Sequence, residues 1–323
     1  MSDDYLFDKQ GRPDPDAARL EQLLAPLRHQ RPLPALPPRA PAPRPAPRPR
    51  WPWALAAAAL LLLSIGLAAL WPQPQPDAAA WPVAVTQGAP TLDGAPLRAD
   101  SRLAIGQRLQ TDHRSSARLA VADIGHIDLA PNSLLQLDAT GAQHRLSLTR
   151  GQIHARVIAP PRLLIVHTPL ADAVDLGCEY TLSVLDDGAT ALRVQSGFVA
   201  LETPDHTVLV PQGAAANAHP ALGLTTPAFE DADPDFLFAL RTFDADERDR
   251  AALQRLLALA RARDTLSLWH LLYRAAPPER GLLYDRIRAL APDRAPAGLT
   301  RQHALDLDKQ ILQEWLDQLW LSW

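Results

Sequence analysis

Few residues in this chain have the chemistry to act as a catalyst or a ligand, and they are scattered. There is one cysteine, Cys178, and there are ten histidines. A thiol nucleophile needs a neighbouring base or a lowered pKa, and His167 is the base that a Cys–His pair would use here. Cys178 lies in Asp175-Leu176-Gly177-Cys178-Glu179-Tyr180, at the entrance to an expected strand. A small buried cysteine is an ordinary core residue in that position, so Cys178 reads as structural. His144, His154 and His167 fall on neighbouring expected strands and could converge on a metal, but their spacing follows no ligand pattern. Asp231, Asp233 and Asp235 alternate as in a cation loop, yet they lack the Gly and Glu of a calcium site and read as a solvated link. A lone cysteine rules out an intramolecular disulfide framework and a cysteine-based zinc site. No HExxH, P-loop, GxSxG elbow or post-strand GxGxxG is present. The expectation is a protein that is not an enzyme and needs no metal or cofactor. Trp315, Trp320 and Trp323 are aromatic enough for an interface, although Trp315 reads as the core residue of the last helix.

These residues must be held by elements spread over 323 residues, enough for about two domains plus tails. The net charge of -4 gives no field that would draw nucleic acid. Lys9 and Lys309 are the only lysines. With so much Ala, Leu and Pro, the arginine bias reads as the coding bias of a GC-rich bacterial genome.

From Trp53 to Trp71 the sequence carries no charge. A helix of about 20 residues at ~1.5 Å rise spans the ~30 Å hydrocarbon core, and Trp51, Trp53 and Trp71 suit the two interfaces. Arg28, Arg31, Arg39, Arg44, Arg48 and Arg50 precede this run, and no Lys or Arg follows it until Arg98. The positive-inside rule puts residues 1–50 in the cytoplasm and 72–323 across the membrane. A signal peptide cleaved near Ala78-Ala79-Ala80 is the alternative, and the long stretch before the apolar run argues against it. The expected location is the bacterial inner membrane, crossed once, with a periplasmic C-terminus.

Before the membrane, residues 1–30 hold one expected helix, with Asp14 as cap, Pro15 in the first turn and Pro26 near its end. Leu20, Leu23, Leu24 and Leu27 form a single apolar stripe with no core of its own to bury it, which suggests a cytoplasmic partner. Residues 31–50 are so rich in Pro and Arg that they read as an extended spacer. Residues 51–71 are the transmembrane helix and 72–81 a second link.

Residues 82–227 read as all-β, with short alternating runs broken by turn residues. Expected strands include Arg118–Val121, Ile127–Leu129, His144–Thr149, Gln152–Ile158 and Leu163–His167. Asp186-Asp187-Gly188 reads as a hairpin turn between Thr181–Leu185 and Ala191–Val194. Many short strands with one apolar face suit either a sandwich or a solenoid-like coil. Residues 231–323 then read as four helices, Arg248–Ala262, Thr265–Ala275, Pro277–Leu290 and Asp306–Leu321, stacked as helical hairpins. The fold class is therefore mixed: a single membrane helix, an all-β domain and an all-α C-terminal domain.

An ordered motif series runs along the β region. It begins with Gly106, Thr111 and Ser116-Ala117-Arg118-Leu119, then Asp123-Ile124-Gly125 before Ile127-Asp128-Leu129. It continues with Leu148-Thr149-Arg150-Gly151, then Val166-His167-Thr168 and Leu176-Gly177-Cys178-Glu179-Tyr180. Val194-Gln195-Ser196-Gly197-Phe198-Val199 and Gly213 close it. Over about residues 88–215 this series resembles the FecR domain of FecR-type membrane regulators, with Cys178 standing where the family has Thr. The resemblance implies signal transduction: a periplasmic sensor coupled to a cytoplasmic sigma factor of the extracytoplasmic-function class, meeting an envelope protein or ligand outside. It also implies structural roles for Gly106, Thr111, Gly125, Gly151, Gly177, Cys178, Tyr180, Gly197 and Gly213. The short arm and the helical C-terminus depart from the usual FecR-type pattern. The alternative is a non-enzymatic envelope-binding or scaffold protein whose arm is only an anchor.

Overall fold

The computed structural model describes Arg19, Leu23–Ala25 and residues 80–323. The expected membrane helix, the proline-rich spacer and most of the N-terminal arm lie outside the described residues. Among the described residues no helix is long and apolar enough to cross a membrane. All of the sheets and helices numbered below belong to one compact unit that lies after Trp71.

The β region comprises β1 (Trp81–Gln87), β2 (Thr91–Leu92), β3 (Ala95–Pro96), β4 (Arg102–Leu103), β5 (Arg108–Gln110) and β6 (Ser116–Val121). It continues with β7 (Gly125–Leu129), β8 (Leu134–Ala139), β9 (His144–Val157), β10 (Leu164–His167), β11 (Asp172–Asp175) and β12 (Glu179–Val184). β13 (Thr190–Ser196), β14 (Phe198–Glu202), β15 (Thr207–Pro211), β16 (Ala214–His219), β17 (Gly223–Leu224) and β18 (Ala228–Phe229) complete it. One sheet runs β1-β6-β7-β9-β12-β13-β16, with β17 and β18 on its far edge. The other runs β3-β2-β5-β8-β9-β10-β11-β14-β15. Pairing is antiparallel throughout except between β9 and β10.

Alternation sends Leu119, Ile127, Ile153, Leu182 and Leu192 inward from the first sheet, and Leu109, Leu135, Leu146, Val166 and Leu201 inward from the second. They meet in one apolar cluster, which makes the region a two-layer sandwich. Apart from β3, which sits outside β2 on the edge, each sheet also adds its strands in chain order as the backbone passes back and forth. The two expected architectures are thus combined, a sandwich wound progressively like a coil.

One expectation about the strands is corrected. The expected strands His144–Thr149 and Gln152–Ile158 run together as one strand, β9, which ends at Val157 and serves both sheets. Its first half pairs with β8 and β10 in the second sheet, and its second half pairs with β7 and β12 in the first.

Beyond β18 the helices are α1 (Pro234–Ala245), α2 (Arg250–Leu259), α3 (Thr265–Leu271), α4 (Pro277–Leu290), α5 (Arg301–Asp306) and α6 (Lys309–Leu319). The four expected helices are shorter than read, except Pro277–Leu290, and two more are present. The acidic link expected around residue 233 is in fact the start of α1. Asp233 caps it by accepting from the backbone N–H of Asp235 and Phe236, and Pro234 occupies the first turn. Buried Phe236, Leu240, Phe243, Leu256, Leu271, Leu283, Trp315 and Leu319 form the helical core.

The β and helical regions share contacts. Leu266 of α3 sits in the sandwich cluster, and Leu209 of β15 packs on the helical one. Ser267 donates to the Pro227 carbonyl at 2.7 Å. Arg274 donates to the Leu224 carbonyl at 3.0 Å and to Asp244 Oδ1 at 2.9 Å, while Asp244 accepts from both the backbone N–H and the hydroxyl of Thr226. Burial pushes the Asp244 carboxyl upward against the pull of Arg274. The pair is a buried clasp between the last strands and the helices.

Candidate functional site

The FecR-type motif residues occupy corners of the sandwich. Gly106 donates its N–H to Leu137 at 2.7 Å. Thr111 is buried, donates its hydroxyl to the Ala130 carbonyl at 2.7 Å and accepts from the Ser133 N–H at 2.9 Å. Gly151 stands where β9 passes from one sheet to the other, with φ of +86°. A Cβ there would collide with Ser133, and the space it leaves lets Ser133 Oγ accept from the Gln152 N–H at 2.9 Å. The position thus requires glycine on both backbone and steric grounds. Gly197, at φ +73°, separates β13 from β14, and a Cβ there would collide with the Gly177 carbonyl. Gly125 opens β7, and Gly213 precedes β16, donating to the Val194 carbonyl at 2.8 Å. Tyr180 is fully buried on β12. These residues build the frame and present no chemistry to solvent.

Cys178 is buried and donates to Asp175 Oδ2 at 2.9 Å, while Asp175 Oδ1 accepts from the Gly177 N–H at 2.6 Å. Burial, reinforced by the Asp175 charge, pushes the thiol above its ordinary range, the opposite of what a nucleophile needs. Burial likewise raises Asp175 itself. The three histidines do not converge. His144 is buried edge-on against Trp81 at 5.2 Å, with its pKa lowered by burial. His154 bridges Thr181 and Glu179, at 3.2 and 3.0 Å, and His167 meets Asp172 at 2.6 Å. Of the aspartates expected in a link, Asp231 accepts from Arg261 and Arg263 at 3.2 and 2.8 Å, and Asp235 pairs with Arg255 at 3.2 Å. Their ligands are arginines, so their role is to hold α1 and α2 in place.

In the N-terminal arm, Leu23 and Leu24 are helical and are 70% and 55% exposed. Leu20 and Leu27 lie outside the described residues. At the C-terminus Trp315 is a core residue, whereas Trp320 is exposed beside Phe198 with ring centroids 5.1 Å apart. Trp323 donates its indole N–H to Thr265 at 3.1 Å and packs on both cores.

A cleft of about 440 Å³ lies between β14–β15 and the helices α3 and α6. Leu209, Ala200, Leu316, Trp269 and Tyr273 supply its apolar lining. Around it, Arg162 grips Glu202 through two bonds of 2.8 and 3.1 Å, leaving Asp205 and Lys309 without ion-pair partners among the described residues. His270 also lines the cleft. It is 6% exposed, burial pushes its pKa down to about 3, and its Nε2 has no hydrogen-bond partner among the described residues. Sequence reading missed this cleft, because its residues come from segments far apart in the chain. The one available signal was Lys309, one of only two lysines in an arginine-rich sequence.

Residues 107–200 match the family model described as FecR protein. The resemblance read from the motif series holds over this span, and Gly106 and Gly213 lie outside it. Two crystal structures of a candidate anti-sigma factor from Parabacteroides distasonis ATCC 8503 are similar to 41% of this chain, at 17% identity and a TM-score of 0.35. This chain spans less than two thirds of their length, 63% and 62%. No curated protein matches the sequence.

Proposed function

We propose that this protein is a single-pass inner-membrane regulator, with a periplasmic FecR-type sensor joined through one helix to a cytoplasmic segment that binds a transcription factor, an extracytoplasmic-function sigma factor. The observation that carries this reading is the FecR match at residues 107–200, which follows an uncharged, tryptophan-flanked run at Trp53–Trp71 with arginines on its N-terminal side. The reading needs no bond-making chemistry: the event is a change of binding on one side of the membrane that alters binding on the other.

The cytoplasmic contact is assigned to Leu20, Leu23, Leu24 and Leu27. Burying each leucine against a partner contributes roughly 1.5–3 kcal/mol before ordering costs. Changing Leu20 and Leu24 together to Asp in the full chain should abolish capture of the sigma factor by residues 1–50 and leave membrane insertion intact. In the cell the double variant should reproduce the transcriptome of a deletion of residues 1–30. If both transcriptomes equal the wild type while envelope integrity depends on residues 82–323, the protein is an anchored envelope scaffold and the regulator reading fails. Topology has its own check: a reporter active only in the periplasm should be active when fused after Asp77 and after Trp323, and silence at both sites would refute the orientation.

A further inference from the structure

The two ends of the sandwich differ in chemistry. One is the end at which the chain enters. The pairing of Val83 with Leu119 sets Trp81 beside the close of β6, and the Trp81 ring meets His144 with centroids 5.2 Å apart. The β9–β10 connection lies at the same end, because the His144 backbone N–H donates to the Leu163 carbonyl at 2.7 Å and that of Ile158 to the Ile124 carbonyl at 2.8 Å. Next to it is Gly177, where a Cβ would touch the Ala159 carbonyl at 3.4 Å. The Leu176 N–H then donates to the Phe198 carbonyl at 3.3 Å. Trp320 packs on Phe198 with ring centroids 5.1 Å apart, and Leu321 follows it.

This end is apolar and open. Ile158 is 85% exposed, Leu321 63% and Trp320 44%, and Pro160 and Pro161 are exposed as well. The backbone there has little need of water: prolines carry no N–H, and the N–H groups of Ile158, Arg162 and Leu163 are bonded within the fold. Across the β6–β7, β8–β9, β9–β10, β11–β12 and β13–β14 connections the only charged residues are Asp123 and Arg162, and Arg162 is paired with Glu202. At the opposite end the β5–β6, β12–β13 and β14–β15 connections carry Asp112, Arg114, Asp186, Asp187 and Asp205.

We infer that the apolar end docks on the outer surface of the lipid bilayer, with Ile158, Pro160, Trp320 and Leu321 entering the interfacial layer. The occupant is lipid because of where the chain enters. In the single-pass reading, on which this inference rests, the membrane helix ends at Trp71, and the stretch from there to Trp81 reaches at most about 35 Å fully extended. The tether therefore keeps the apolar end near the bilayer, and the charged end lies a strand length further on. Tryptophan favours the membrane interface, and apolar side chains sunk ~5–10 Å into it supply the attraction. Seated this way, the sandwich presents its charged end away from the membrane.

The test is spin-label accessibility in the full-length chain, reconstituted in phosphatidylcholine nanodiscs in a Cys178→Ser background so that each protein carries one thiol. Labels at Ile158→Cys and Leu321→Cys should collide more with oxygen, which concentrates in lipid, than with a water-soluble nickel chelate, at a depth of about 5–10 Å. A label at Asp186→Cys, at the opposite end, should show the reverse. All three positions are exposed, so folding is preserved. A label at Ala58→Cys reports on the membrane helix itself. Lipid exposure at Ala58→Cys with water exposure at Ile158→Cys or Leu321→Cys would overturn the docking and leave the single-pass reading standing. Lipid exposure at all four positions would also overturn it, and water exposure at Ala58→Cys would overturn the docking and the single-pass reading together.

Discussion

At the scale of single residues, polar groups buried in this protein are held neutral or paired. Cys178 donates to Asp175, a carboxylate taken out of water at the end of β11. Serine keeps that donor, so Cys178→Ser should cost about 1–2 kcal/mol in a denaturant melt and leave the regulatory output of the folded protein unchanged. Loss of output in a stable, normally abundant Ser variant would revive a thiol chemistry. His270 predicts a pH dependence of stability. Its folded pKa of about 3 lies below the ordinary value of 6.5, so between those limits the unfolded chain binds the extra proton. The stabilisation is complete above pH 6.5 and is lost as the pH falls toward 3, at up to about 1.4 kcal/mol per unit. His144 is lowered in the same direction, whereas Asp175 and Asp244 are raised and oppose the trend. Melting temperatures from pH 7.5 down to 5 should therefore fall for the wild type and fall less for His270→Phe. Parallel curves for the two proteins would show that His270 is not held neutral.

At the scale of elements, α1 depends on its cap. Asp233 satisfies two backbone donors that the first turn leaves open, so Asp233→Ala should destabilise by about 1 kcal/mol. Asp233→Ser should recover most of that loss, a comparison that chemical denaturation can make. The effect should extend beyond the helix, because α1 also carries Asp244, which holds Thr226 and Arg274. Elsewhere the strands show what a second layer of packing does to alternation. β10, β11 and β14 each have three consecutive buried residues. Ile165, Val174 and Ala200 form a separate apolar cluster with Leu176, so these strands are buried on both faces.

At the scale of the whole molecule, the open quantity is how far the sandwich depends on the helices. We propose that residues 81–227 fold alone as a β domain, since the two sheets enclose their own core. The helices contribute Leu266 to that core and cover Leu209, so the isolated segment should show strand circular dichroism and a cooperative melt below that of residues 81–323. A segment that stays unfolded until residues 231–323 are restored would mean that the two regions form one cooperative unit. Breaking the Arg274–Asp244 clasp, which is buried on both sides, would be felt in the same melt.

The features legible in the sequence are those set by local backbone needs. Gly188 supplies positive φ in the turn after Leu185, and the hairpin of β12 and β13 follows as read. Proline and an acid in the first turn mark α4 at its observed limits. The glycine series that marked the FecR resemblance coincides with corners where a side chain does not fit, as at Gly151 and Gly197. Proline and an acid also open α1, but the neighbouring acids look like a solvated link until Arg261 and Arg263 are seen to neutralise Asp231. Tertiary structure alone decided that β9 is one strand serving two sheets, because pairing partners thirty residues away are not written in local periodicity. It alone brought Asp205, His270 and Lys309 to a single cleft, since those side chains belong to separate elements and their proximity is a consequence of how the sheet and helices pack.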